Sequence, residues 1–152
     1  DKIAHYTTES FIAIALGFRA AGSFDTSSGW VLIGALLAVV LLLNKSLNDF
    51  VHVARAYAGL PRLVESAAVS APRPGLIAKA RRVARFVPFH KVFHSIELTL
   101  LALAASVIDA FLGDLVATRV LVGALFVFAI LATIGHAMAI LSSNRLKAPQ
   151  NG

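Results

Sequence analysis

The chain has 152 residues, of which 58% are hydrophobic and only 14% charged, with a mean hydropathy of +0.79. Soluble domains run at about 45–50% apolar and about 25% charged, so this balance excludes an ordinary soluble domain and predicts one integral membrane domain over 1–152. There is no cysteine, which excludes disulfides, thiolate metal sites and cysteine nucleophiles.

The net charge of +6 does not point to nucleic acid, because eight of the fourteen Lys and Arg residues lie between Arg55 and Lys91 with only Glu65 opposing them. A basic run beside apolar spans reads as a cytoplasmic loop facing anionic lipid.

In chain order, the first apolar segment covers about 8–24. It is short and carries Arg19, so by itself it reads equally as a span or as a helix lying in the interface. No basic stretch precedes it, which predicts no cleavable signal peptide. The second segment covers about 29–50. Its purely apolar part, Trp30 to Leu43, is short for a crossing, which needs about 20 residues, and this puts Asn44 and Lys45 inside or at the edge of the membrane.

In the loop, Pro72 and Pro74 precede a helical stretch over about 75–88 that Pro88 limits. Leu76, Ala80, Val83, Ala84 and Val87 share one face at helical spacing, and Lys79, Arg81, Arg82 and Arg85 share the other. This predicts a basic amphipathic helix with membrane lipid as its partner. A solvated helix packed on another protein is the alternative.

The spans 92–113 and 120–142 are each long enough to cross, and the short connection around Asp114 and Arg119 makes them an antiparallel hairpin. Val31-Leu32-Ile33-Gly34-Ala35-Leu36 matches Val120-Leu121-Val122-Gly123-Ala124-Leu125 at five of six positions. Glu9 precedes the first stretch at nearly the distance by which Glu97 precedes the second. Two hairpins repeated in the same orientation would give this pattern, as would biased Ala/Leu/Val composition. The expected fold is all-α: a four-helix membrane bundle of two hairpins joined by a basic amphipathic cytoplasmic loop. The positive-inside rule places that loop, the C-terminus with Arg145 and Lys147 and, with four spans, the N-terminus in the cytoplasm. The Ala/Val/Leu/Arg-rich composition suggests a bacterial inner membrane.

Ionisable groups in a bilayer are costly and usually carry a function or a partner. At 1.5 Å per residue, Glu97 and His136 come out roughly 8–9 Å inside the cytoplasmic boundary. His94, Asp49, His52 and Glu9 lie somewhat shallower, with Asn44 and Lys45 near the level of Glu97. Asp49 with His52, and His94 with Glu97, are one helical turn apart. The expectation is a cytoplasmic-side cluster of Glu97, His136, His94, Lys45, Asp49 and His52 that binds or relays a proton or cation, with Glu97 as charge carrier. Metal binding by His90, His94, Glu97 and His136, haem b held by two histidines such as His94 or His52 with His136, a quinone, or a purely structural hydrogen-bonded cluster remain open. Towards the opposite side, Arg19 and Asp109 come out at comparable depth and form an expected structural pair.

The chain has no phosphate-cradling glycine loop, no HExxH zinc signature and no legible Ser/His/Asp arrangement. Leu43-Asn44-Lys45-Ser46-Leu47-Asn48-Asp49 faintly resembles a stretch of small prokaryotic lipid kinases, with Asn48 and Asp49 in place of that family's acidic pattern. The resemblance covers this short stretch alone and carries no site across. The function expected from the residues is a non-enzymatic membrane subunit, a homo-oligomer or one member of a larger complex. A haem- or quinone-bearing anchor and a membrane-embedded lipid-modifying enzyme are the alternatives.

Overall fold

The computed structural model describes residues 2–61 and 92–142. The helix expected over 75–88, with Lys79, Arg81, Arg82 and Arg85, lies outside the described residues, as do His90, Arg145 and Lys147.

The described residues form four α-helices and no strand: α1 (Lys2–Ala21), α2 (Gly29–Tyr57), α3 (Ser95–Leu112) and α4 (Val116–Ser142). α2, α3 and α4 are long and apolar enough to cross a membrane. α1 is 20 residues long but carries Glu9 and Arg19 and does not reach that standard. It begins at Lys2, earlier than the apolar stretch that starts at Thr8, because neither Gly nor Pro interrupts the residues between them.

Local chemistry sets the helix ends. Ser28 caps α2 by accepting the N–H of Trp30. In the preceding connection Asp25 accepts the N–H and the hydroxyl of Ser27, and these bonds lower its carboxyl pKa below the ordinary value. α2 closes in a Schellman motif, in which the Leu60 N–H donates to the Arg55 carbonyl and the Gly59 N–H to that of Ala56. Gly59 takes the left-handed φ of +66° that this motif requires. Buried Arg55 finishes the turn by donating from its guanidinium to the Pro61 carbonyl at 2.9 and 3.1 Å.

α1 and α2 form the most extensive pair in the bundle. Gly17 and Gly34 make that possible. A Cβ at Gly17 would sit 2.9 Å from the Gly34 Cα, and one at Gly34 would sit 2.7 Å from the Gly17 Cα, so the two backbones touch where only glycine fits. Around the bundle the helices follow the order α1, α2, α4, α3. α1 and α4 also meet across the middle, while α2 and α3 have almost no contact. Because α1 meets α4 but α2 barely meets α3, the two hairpins do not sit as equivalents about an axis. Gly34 is in backbone contact, whereas nothing lies within 4 Å of the corresponding position on Gly123.

The core is Ala13, Leu16 and Ala20 of α1, Leu37, Ala38 and Leu41 of α2, Phe93 before α3, Leu98 of α3, and Val122, Leu125 and Ala129 of α4. Leu32, Val39, Leu100, Leu103, Val120, Val127 and Leu131 face outward, while Glu9, Asp109 and Thr118 are buried. Apolar outside with ionisable groups inside suits a hydrocarbon solvent, where an outward Leu costs nothing and a lipid-facing carboxylate is expensive.

Candidate functional site

Two polar groupings sit at opposite ends of the bundle. At the first end are the start of α1, the late part of α2, the start of α3 and the end of α4. Glu9 is only 1% exposed, and one of its carboxylate oxygens, Oε2, forms an ion pair with the Lys45 ammonium from α2. Its other oxygen, Oε1, is buried and has no hydrogen-bond partner among the described residues. The Lys45 Nζ also lies 5.4 Å from the centroid of the Tyr6 ring, over its face. The Tyr6 hydroxyl donates to Asp49 Oδ2 at 3.3 Å. Tyr6 and Glu9 share a face of α1, and Lys45 and Asp49 share a face of α2, each pair one turn apart. The result is a line of contacts, Asp49–Tyr6–Lys45–Glu9, from a half-buried carboxylate to a fully buried one, in which Lys45 meets the Tyr6 ring rather than its hydroxyl.

Beside it, His136 of α4 is held against α2. Its Nδ1 lies 2.9 Å from Asn44 Oδ1 and its Nε2 lies 3.2 Å from Asn48 Oδ1. Asn44 and Asn48 are one turn apart, so a single face of α2 engages both ring nitrogens. His52, one turn beyond Asp49, is half-buried, and its Nδ1 is buried with no hydrogen-bond partner among the described residues.

Glu97 stands in the first turn of α3, half-buried, on the helix that α2 barely touches. His94 occupies the N-cap position of α3 and is exposed, with its side chain not bonded to the helix end. Of the six residues read as one cluster, then, Lys45 and Asp49 join the line through Glu9 and Tyr6. His136 binds a different pair of residues on the same helix, and Glu97 and His94 lie across the bundle from Lys45, Asp49 and His52. Glu9 is the buried carboxylate of this end because α1 begins at Lys2, which sets Glu9 about two turns inside the helix.

Neither Tyr6 nor Asn48 was read as part of this polar cluster from the sequence. The signal for them is helical register: Tyr6 three residues before Glu9, and Asn48 four after Asn44.

At the opposite end, Asp109 of α3 is 3% exposed. It accepts the Ala117 N–H at 2.8 Å and the Thr118 N–H at 3.3 Å, and it takes a further bond from the Thr118 hydroxyl. It thereby acts as a long-range cap for the first turn of α4. The Arg19 guanidinium lies 3.7 Å from Asp109, with its side chain 40% exposed, and its Nε donates to Thr118 Oγ1 at 3.2 Å. The Arg19–Asp109 pair is therefore bridged by Thr118, which supplies the closer contacts.

Among the described residues, no three His, Asp or Glu side chains converge as metal ligands. Comparison with family models, characterised proteins and solved structures finds no match. The class that the fold defines is an all-α bundle in which three helices are able to cross a membrane.

Proposed function

We propose that this chain is a non-enzymatic multi-pass membrane subunit that takes up and passes on a proton at the Glu9–Lys45 pair, at the cytoplasmic end of the bundle. The observation that carries the reading is Glu9: a wholly buried carboxylate, paired with Lys45 on one oxygen and unsatisfied on the other. A buried ion pair contributes little net stability compared with apolar side chains of the same volume. Its presence in a membrane bundle therefore argues for chemistry. Moving one proton from the Lys45 ammonium to the Glu9 carboxylate leaves a neutral amine and a neutral acid, removing both charges from the low-dielectric interior. Asp49 and the Tyr6 hydroxyl stand between that pair and the end of the bundle, where a proton would enter or leave.

In this reading α1 crosses the membrane beside α2, because its two costly groups find partners inside the bundle: Glu9 on Lys45, and Arg19 on Thr118 and Asp109. The orientation follows from the basic segment between Arg55 and Lys91.

The proton line ends at Glu9. Beyond it lie Ala13, Leu16, Leu37, Leu41 and Leu125, an apolar stretch before the Asp109 end. Among the described residues no polar group continues the line through this stretch, which favours a homo-oligomer or a larger membrane complex over a self-sufficient transporter. A haem ligated by His136 would have to displace Asn44 or Asn48 from the ring.

Infrared difference spectroscopy of the protein in reconstituted bilayers, taken across a pH titration, tests the proposal. A carboxylic-acid C=O band that responds to pH, disappears in Glu9→Gln and shifts in Lys45→Met is expected. A spectrum in which Glu9→Gln changes no pH-dependent band would reduce the pair to a structural contact.

A further inference from the structure

At the end opposite the proton line, α1 and α4 exchange arginines. Arg19, near the C-terminus of α1, reaches Thr118 on α4 through its Nε. Arg119, in the first turn of α4, reaches back to the Ala20 carbonyl of α1 through its own Nε at 3.0 Å. The two guanidiniums are thus fixed at one junction, under the turn between α3 and α4, where the Leu115 side chain packs against Gly22. Both are anchored by Nε. The Arg119 guanidinium makes no other hydrogen bond or ion pair with a described residue, and beyond its Nε bond the Arg19 guanidinium has only the 3.7 Å approach to Asp109. A guanidinium carries five N–H donors, so most of theirs remain for an outside acceptor.

The carboxylates of this end are differently placed. Asp109 is turned onto Ala117 and Thr118, Asp114 onto the Val116 N–H, and Asp25 onto Ser27. Their oxygens serve the helix starts and the connection, so none of them makes a close ion pair with either guanidinium: the Arg19 side chain is 40% exposed and stands 3.7 Å from Asp109, and Arg119 is half-buried. The junction lies within one helical turn of the ends of α1 and α4, the depth at which phospholipid headgroups meet a spanning bundle.

We infer that Arg19 and Arg119 form a binding site for a phosphate ester, the headgroup phosphate of a membrane phospholipid, at the Asp109 end of the bundle. Guanidinium forks match phosphate oxygens bidentately, and the Nε anchors hold both forks in place before the lipid arrives. The inference is independent of the proton reading, which concerns the other end.

Native mass spectrometry of the lipid-stripped protein in mild detergent tests it, using phosphatidylglycerol, a glycosyl diacylglycerol with the same acyl chains, and inorganic phosphate as probes. Phosphatidylglycerol should be retained in preference to the glycolipid, and Arg119→Gln should weaken that retention about fivefold, the factor contributed by one basic side chain at a lipid surface. Gln can still donate to the Ala20 carbonyl, and circular dichroism checks that the helices survive. Arg119→Lys, which keeps the charge and loses the fork, should show an intermediate loss. If inorganic phosphate displaces the lipid, the site serves soluble phosphate as well. If it does not, the acceptor is the lipid headgroup. Equal retention of both lipids, or retention unchanged in Arg119→Gln and Arg119→Lys alike, overturns the site.

Discussion

Lys45 reaches from α2 to Glu9 on α1 at a point where Glu9 is 1% exposed and Lys45 remains 22% exposed. The pair therefore has an inner, fully enclosed partner and an outer one that leads towards the end of the bundle. The proposed relay uses this asymmetry, and the coupling of the two side chains can be probed through stability as well as spectroscopy.

Removing one partner of a buried pair strands the other, at a cost of about 3–5 kcal/mol. Lys45→Met should accordingly lower the melting temperature in detergent more than Glu9→Gln, which removes the charge and keeps a polar side chain of the same shape. The double variant should recover most of the loss. Additive losses in the double variant would mean that the two side chains are not coupled.

The contact between Gly17 and Gly34 leaves no room for a Cβ on either residue. Gly17→Ala and Gly34→Ala should each destabilise the bundle by about 1–3 kcal/mol through overpacking, because the neighbouring atoms are backbone and cannot move aside. Gly123→Ala and Gly135→Ala, which meet nothing within 4 Å, should be neutral or slightly stabilising by helix propensity. Thermal unfolding of the four variants side by side checks the contrast.

At the far end, the Asp109 carboxylate serves α4 more than it serves Arg19. Asp109→Ala leaves the Ala117 and Thr118 donors without their acceptor and should cost about 2–3 kcal/mol. Asp109→Asn keeps one acceptor oxygen and should cost less. Arg19→Gln, whose side chain is 40% exposed and stands 3.7 Å away, should cost under about 1 kcal/mol. Denaturation in detergent measures all three, and an Arg19→Gln loss equal to that of Asp109→Ala would make the ion pair the dominant contact.

His136 offers neither ring nitrogen freely, since Nδ1 meets Asn44 and Nε2 meets Asn48. Adding hemin to the purified protein should give no Soret shift attributable to this residue. A shifted Soret band that disappears in His136→Ala would show that the amides yield to iron. Asn44→Ala by itself should cost about 0.6 kcal/mol, the average for a polar contact between membrane helices.

The all-α class and the position of α2, α3 and α4, each long and apolar enough to cross a membrane, were legible in the sequence, because hydropathy over a span is a local property summed along one helix. The presence of ionisable groups at both ends of the bundle was legible for the same reason, since depth follows from counting residues. Pairing across helices was not. Whether Glu9 or Glu97 becomes the enclosed carboxylate depends on which helices touch, and only the tertiary structure brought α1 against α2 while keeping α3 away from it. Gly17 and Gly34 bring the α1 and α2 backbones into contact, and that closeness carries Lys45 to Glu9. Gly123, in a nearly identical hexapeptide, meets no neighbour. Asp109 likewise read as the partner of an arginine by depth, and became a cap for α4 because the turn after Gly113 folds the Ala117 and Thr118 N–H groups back over it. Sequence fixes how deep a polar group lies, through the rise of the helix. Which group it meets is decided by how helix surfaces fit together, a property that no single helix contains.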